Sequence, residues 1–501
     1  MNVPNLSLKG THFGTQWFRE GVMYEVFVRS FRDSIGDGIG DLRGVIEGLD
    51  YIQSLGATII WLMPIHPSPS YHGYDVTDYY AVNPDYGTMD DLLELIQAVH
   101  NRGMYIIMDY VANHTSNHHP FYRDAFNNLA SEYGSFYRWK NDAHTAVRGF
   151  GGSSAMPDVN FDDAAVRQYM IDVARYWLDP NGDGNPSDGF DGLRCDMATG
   201  PPLDFWAELR TAMLNLNPNS VLLAEAWLRS TGELQEYLTT NSFNAIFDFP
   251  TFHAVAADHN LNGDGIVSGT VSSDFLRIAF KNAQIQYPID SHLVRFINNH
   301  DTNRIMSEVE GDETRARASA VWLLTAPGTP MLYYGEEIGM FGVKGTGHPY
   351  WDESRREPFK WFAAEEGDSM TMWFLPPDRH NSPNDGISVE EQDNNPASLL
   401  NFYRKLISLR HTTHVIKYGD LGNIIFSSAG GDLYGIWRGN TNEEFVVIII
   451  NFGLESVTSQ FLEKVPNVKN LNILISESFV LHHKDSFTID PSGYAIIRCS
   501  P

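Results

Sequence analysis

Cysteine is nearly missing from this 501-residue chain. Cys195 and Cys499 are the two present, far apart in sequence, too few for a disulfide framework and read as free thiols. No stretch approaches the roughly 18 consecutive apolar residues of a bilayer span, and residues 1–21 carry no apolar run of signal-peptide length. A membrane partner is not expected, and the cytoplasm is the expected location, with secretion as the alternative. Positive charge is scarce too. The 35 Lys and Arg stand against 63 Asp and Glu, a net charge of −28 that repels nucleic acid and anionic lipid and gives phosphorylated substrates nothing to bind. Hydrophobic residues make up 43% with no Pro-, Gly- or Ser-rich tract, which excludes a disordered or fibrous chain. What is abundant is aromatic: 11 Trp and 23 Tyr are more than a core requires, and beside a charge that favours a neutral partner they point to carbohydrate.

Short apolar runs recur at 22–28, 58–62, 105–110, 192–195, 221–224, 245–249, 293–297 and 331–334, mostly followed by amphipathic helical patterns. Leu42, Val45, Ile46, Leu49 and Ile52 mark one such helix face; Leu92, Leu95, Ile96 and Val99 mark the next. Eight strands joined by helices predict an α/β fold, a (β/α)8 TIM barrel over 1–112 and 163–413. The rhythm breaks at 113–162, rich in Gly, Asn, His and aromatics, which reads as an inserted subdomain after strand 3. From His414 helical patterning stops. Runs at 422–426, 433–437, 444–451 and 494–498 predict a C-terminal antiparallel β-sandwich over 414–501.

A barrel of this kind places its active site at the C-terminal ends of the strands, so polar residues that end apolar runs are the candidates. Asp109 closes strand 3, Asp196 strand 4, Glu225 strand 5 and Asp301 strand 7, with Arg194, His114 and His300 beside them. Any one acid is more simply a helix cap or a solvated carboxylate; four on one face are not. Converging carboxylates suit acetal cleavage, where one acid protonates the departing oxygen and an ionised partner meets the oxocarbenium carbon. A metal site is the rival explanation, and the neighbouring arginine opposes a cation there. Arg194, two residues before Asp196 on a strand, points to the same side and sets a positive charge beside that carboxylate.

Asp33, Asp37 and Asp41 alternate with glycines in Asp-Ser-Ile-Gly-Asp-Gly-Ile-Gly-Asp, hard oxygens on a tight turn that suit Ca2+, with an acidic solvated turn as the alternative. Asp179-Pro-Asn-Gly-Asp-Gly begins like an EF-hand loop but carries Phe190 at its twelfth position and reads as a polar loop. Residues 258–265 read as an Asn/Gly turn.

Six short motifs fall in order on this strand rhythm: Gly-Tyr-Asp-Val-Thr-Asp-Tyr at 73–79, Asp-Tyr-Val-Ala-Asn-His at 109–114, Met-Pro-Asp-Val-Asn at 156–160, Gly-Leu-Arg-Cys-Asp at 192–196, Glu-Ala-Trp at 225–227 and Asn-Asn-His-Asp at 298–301. Together they resemble the α-amylase superfamily of retaining α-glucoside enzymes. The resemblance implies Asp196 as nucleophile, Glu225 as general acid and then base, and Asp301 as the group that stabilises the distorted sugar. It also implies substrate-binding roles for Asp109, Arg194, His114 and His300, a sugar-stacking surface at Tyr74, and the Ile39 carbonyl as a further calcium ligand, while Ile35 stands where relatives often offer an oxygen. Tyr74 is otherwise a core tyrosine. Cys195 and Met197 depart from the residues many relatives carry beside the nucleophile, and Met197 would face the sugar subsites.

The early segment looks like oligo-1,6-glucosidases and trehalose synthases, in which Asp75 with Arg356 would bind a terminal glucose. The later motifs are similar to bacterial α-amylases intermediate between oligo-1,6-glucosidases and neopullulanases, and they cover more residues. Hydrolysis of α-1,4 bonds in starch and maltooligosaccharides is therefore expected, with an exo-acting α-glucosidase or a transglycosylase such as trehalose synthase as the alternative. A non-catalytic glucan-binding relative would lack one or more of the three acids.

Overall fold

Ile59–Leu62 reads Ile-Ile-Trp-Leu and Val221–Ala224 reads Val-Leu-Leu-Ala. A strand apolar at every position has no face for water, and parallel sheets covered by helices are where such strands belong. The computed structural model describes residues 15–258, 263–289, 291–345, 347, 351–367, 369–423, 432–440, 442–460, 468, 470–483 and 486–500. Its strands β1 (Met23–Val26), β2 (Ile59–Leu62), β3 (Tyr105–Tyr110), β4 (Gly192–Cys195), β5 (Val221–Ala224), β6 (Ala245–Phe247), β7 (His292–Arg295) and β8 (Thr329–Tyr333) form one closed parallel barrel. Each pairs with its sequence neighbours, and β1 closes the ring by pairing with both β2 and β8.

Helices between the strands form the outer layer, and their boundaries follow local chemistry. Helix Leu42–Leu55 starts at Asp41, whose carboxylate accepts the Gly44 N–H at 2.7 Å, and stops at Gly56, in the left-handed region at φ 96°. A Cβ there would lie 2.6 Å from Ile407 Cγ2, so packing against helix Leu399–Thr412 also requires glycine. Helix Met89–Asn101 begins with a capping box of Thr88 and Asp91 and buries Leu92, Leu95, Ile96 and Val99, the expected face.

Between β3 and helix Ala164–Leu178 the chain makes the short helix Pro120–Ala125 and isolated antiparallel bridges His114–Asp158, Tyr137–Val159, Trp139–Val147 and Gly149–Pro157. After the last barrel helix the chain winds once more, as His414–Tyr418, so the expected end of helical structure at His414 is too early. Ile416 is buried there and holds the turn down.

The C-terminal β domain begins at β9 (Leu421–Asn423) and continues with β10 (Leu433–Gly439), β11 (Phe445–Asn451), β12 (Val457–Gln460), β13 (Asn470–His483) and β14 (Ser486–Ser500), all antiparallel. Residues 424–426 of the first expected run, and 259–262 of the expected turn, lie outside the described residues. Every residue of β11 is buried. Val446, Ile448 and Ile450 join the barrel's core with Tyr434 and Ile496, whereas Phe445, Val447 and Ile449 join a second core with Phe487, Ile489 and Ile497. Cys195 and Cys499 are free and buried. Among the described residues no helix is long and apolar enough to cross a membrane.

Candidate active site

β3 and β4 pair with Asp109 opposite Arg194, so both side chains leave the same face at the same level. One step beyond the ladder, the Asp196 N–H donates to the Tyr110 carbonyl (3.1 Å) and the Glu225 N–H to the Cys195 carbonyl (3.0 Å), which carries both carboxyls onto the strand ends. Arg194 gathers all three. Its Nη1 lies 2.8 Å from Asp109 Oδ1 and 2.9 Å from Asp196 Oδ1, and its Nη2 3.3 Å from Glu225 Oε1. The guanidinium is 1% exposed and is flanked by the rings of Trp61 and Tyr74, at 5.0 and 5.9 Å. Buried charge persists only when paired, and one cation here serves three acids.

Asp301 does not close β7. That strand ends at Arg295, and Asp301 sits in the loop beyond. The loop is held by its asparagines: Asn298 Oδ1 accepts the Ile305 N–H (2.8 Å), Asn299 Oδ1 accepts the Asp301 N–H (2.9 Å), and the Asn299 N–H donates to Thr302 Oγ1 (2.9 Å). From the other side, Arg356 Nη2 lies 3.0 Å from Asp301 Oδ1, Arg356 Nε donates to the His300 carbonyl (3.0 Å), and Arg355 donates to the Asp301 carbonyl. His300 Nε2 is 3.0 Å from Asp301 Oδ2 and 2.7 Å from the Tyr74 hydroxyl. Tyr74 stacks on His300 (5.7 Å, 14°), donates to Asp109 Oδ2 (3.1 Å) and packs its ring against the core.

His114 is buried, with Nδ1 3.2 Å from Asn113 Nδ2, Nε2 without a protein partner, and its ring stacked on Phe150 of the inserted segment (5.0 Å). Asp75 Oδ1 accepts from the hydroxyls of both Ser68 and Ser70. Met197, at φ 45°, takes a left-handed conformation unusual for a side-chain-bearing residue, and in it the Met197 N–H donates to Glu225 Oε2 at 2.8 Å.

These surroundings separate the acids. Burial lifts Glu225 to about 8, with Asp196 and Asp301 adding to the rise and Arg194 opposing it. Burial also lifts Asp109 to about 7 against the pull of Arg194. Burial would raise Asp301 as well, yet His300, Arg356 and Arg355 hold it well below the usual carboxylate range. At neutral pH the site therefore has a carboxylic acid able to give a proton and a carboxylate unable to take one, the division of labour that acid–base catalysis needs.

The acidic loop before helix Leu42–Leu55 has another architecture. Asp33 Oδ1 accepts the N–H groups of Ile35 (3.0 Å) and Gly36 (2.7 Å), and Oδ2 that of Gly38 (2.6 Å). Asp41 accepts from the Ser34 N–H and hydroxyl, both at 2.8 Å, besides capping the helix, and exposed Asp37 accepts the Ile39 N–H (2.9 Å). Calcium takes six to eight oxygens, and among the described residues no group of three or more Asp, Glu, His or Cys side chains is arranged to hold a metal ion. In the structure Asp33 and Asp41 thus serve a turn and a helix cap, and Asp37 holds the Ile39 N–H. Asp179 likewise accepts from the backbone N–H groups of Asp183 and Gly184.

Glu25, Phe150 and Arg355 enter the site without having been singled out in the sequence. Glu25 had a signal, as the one acid in the wholly buried strand Met-Tyr-Glu-Val; Phe150 had none, because the inserted segment has no periodicity.

Comparison with known proteins agrees with this geometry. The family model for the α-amylase catalytic domain matches residues 25–419. The chain is 32% identical over 495 residues to Alpha-amylase 3 of Dictyoglomus thermophilum, spanning 95% of this chain and 91% of that one. It is 30% identical over 539 residues to a probable oligo-1,6-glucosidase 2 of Bacillus subtilis, spanning 89% and 92%. Among solved structures, the α-amylase from H. orenii superposes with a TM-score of 0.80 at 32% identity, covering 96% of this chain and 99% of that one. Similarity thus runs through barrel, insert and C-terminal sheet together, and the chain belongs to the α-amylase family of glycoside hydrolases.

Proposed function

We propose that this enzyme hydrolyses the α-1,4-glucosidic bonds of starch and maltooligosaccharides with retention, by double displacement. The observation that carries this reading is the nearly whole-chain similarity to α-amylases in both sequence and structure. Glu225, kept protonated near neutral pH by burial, gives its proton to the glycosidic oxygen as the bond to the anomeric carbon breaks. Asp196 attacks that carbon and forms a β-glycosyl ester while the electron pair of the broken bond leaves with the protonated oxygen. The ionised Glu225 then takes a proton from water, whose oxygen displaces Asp196 and restores both groups. One guanidinium touching both carboxyls supports the close spacing, ~5 to 5.5 Å, of a retaining pair.

Asp301 stays ionised against the sugar hydroxyls and the developing positive charge, with Arg356 holding its other oxygen. His114 Nε2 and His300 bind hydroxyls of the same sugar, and Tyr74, Asp109 and Asp75 complete its surroundings. No step needs a metal. Two buried free thiols support a cytoplasmic location, which cell fractionation tests.

Product analysis tests the substrate. Maltoheptaose, free or blocked at its non-reducing end, and maltose are each incubated with the enzyme, and cleavage of the blocked substrate is expected. Inertness toward it with glucose released from the free form would replace this reading with an exo-acting glucosidase, and trehalose from maltose would replace it with a trehalose synthase.

A further inference from the structure

Against His300 lies an acid with no place in the double displacement. Glu25 is on β1, fully buried, and its Oε1 is 2.5 Å from His300 Nδ1. Hydrogen bonds around His300 constrain where its protons are. The Tyr74 hydroxyl lies 2.7 Å from His300 Nε2 and has its proton directed at Asp109 Oδ2, which leaves its oxygen free to accept from Nε2. Asp301 Oδ2, 3.0 Å from the same nitrogen and held ionised, only accepts, so Nε2 carries a proton. On the opposite side Nδ1 faces the Glu25 carboxylate, which when ionised also only accepts. A ring that donates from both nitrogens is an imidazolium.

We propose that Glu25 is a positioning residue that holds His300 as a doubly protonated imidazolium, so that its Nε2–H stays a donor toward Asp301, Tyr74 and the sugar bound beside them. The other groups facing His300 are consistent with a cation there. Trp61 on β2 presents an edge-on ring at 5.5 Å; Asp109 on β3 is reached through Tyr74; Arg194 on β4 packs on the Tyr74 and Trp61 rings, which also touch His300, and is itself paired with three acids. On the loop after β8, Arg356 and Arg355 face the His300 and Asp301 carbonyls and the Asp301 carboxylate, and Tyr333 on β8 lies near Glu25. Burial works against the imidazolium, but Asp301 and Glu25 outweigh it and lift His300 to about 9. Without a charge at position 25, Asp301 alone would have to hold the proton.

The role of this residue in turnover rests on the proposed function; its effect on His300 does not. The test uses 15N-histidine NMR on the intact enzyme, with the His300 signals assigned by their loss in His300→Asn, alongside the pH profile of kcat/KM on maltoheptaose. At pH 8 the parent is expected to show both His300 nitrogens protonated. Glu25→Gln keeps the shape and a hydrogen-bond acceptor but removes the charge, and should lose the second proton ~1 pH unit or more below the parent. Glu25→Asp shortens the side chain but keeps the charge, and should stay closer to the parent than Glu25→Gln. A neutral His300 in the parent, or an unchanged His300 in Glu25→Gln, overturns the proposal, as would Glu25→Asp behaving worse than Glu25→Gln, the pattern of a purely steric role. In the kinetics, the alkaline limb of Glu25→Gln should move toward acid by a similar amount; a fixed limb beside a shifted NMR signal would overturn the use of this charge in the reaction. A parent that hydrolyses no α-glucan would remove the proposed function and leave the NMR result to decide Glu25.

Discussion

At the scale of single residues, Arg194 stands out because one planar fork serves three acids. Lysine carries the same charge but presents it at a single point and cannot reproduce that fork. Arg194→Lys is therefore expected to lower kcat by roughly 100- to 1,000-fold, the effect of losing one preorganised donor, with a much smaller change in KM; steady-state kinetics on maltoheptaose checks this. Asp196→Asn, which removes the proposed nucleophile, should lower kcat by ~10^4-fold or more without unfolding the protein, and a variant that kept full activity would exclude Asp196 from that role. As the proposed general acid Glu225 must be protonated to act, so activity should be present below its raised value of about 8 and fall as pH rises through it, a limb that a kcat/KM profile would locate. Most of these residues were legible in the sequence because an acid that ends an apolar run is conspicuous. Asp301 was legible as a motif but misplaced as a strand end, since β7 stops at Arg295 and the loop beyond it is shaped by asparagine side-chain hydrogen bonds, which leave no apolar periodicity to read.

At the scale of elements, the eight barrel strands and their helices were legible because burial on both faces leaves an unbroken apolar run that turns and caps punctuate. β12 and β13 were not. Val457–Gln460 has a single apolar residue and Asn470–His483 mixes apolar and polar residues across three register shifts, so neither has a regular apolar signature, and both pair with β14. In the acidic loop before helix Leu42–Leu55 the carboxylates accept from backbone N–H groups of their own turn. A chelator is expected to leave the melting temperature unchanged, whereas a drop reversed by calcium would show that Asp33 and Asp41 re-aim around an ion. Asp41→Ala should by contrast lower the melting temperature with or without calcium, because losing a helix N-cap costs about 1 kcal/mol.

At the scale of the whole molecule, three buried groups in the site hold protons more tightly than they would in an unfolded chain: Glu225 at about 8 against its ordinary 4.5, Asp109 at about 7 against 3.8, and His300 at about 9 against 6.5. For each, folding is favoured most below the ordinary value and that contribution is lost as pH climbs to the raised one. The sign is the same for all three, so the melting temperature should be lower at pH 9 than at pH 6, as calorimetry at matched ionic strength would show. The catalytic acids and the Asp33–Asp41 loop account for a minority of the charge of −28, and the rest has no structural explanation in the fold.

The sheet beyond the barrel carries a further consequence. Because β11 turns one row of aliphatic side chains toward the barrel and the other toward a core of its own, no orientation of that strand offers water a polar surface. The sheet is thus a wall of the enzyme and not a removable module. Grafted onto another protein it would bring an uncovered greasy face, and a barrel cut away from it would be left with the matching one, so the two have to be inherited and engineered as a single piece.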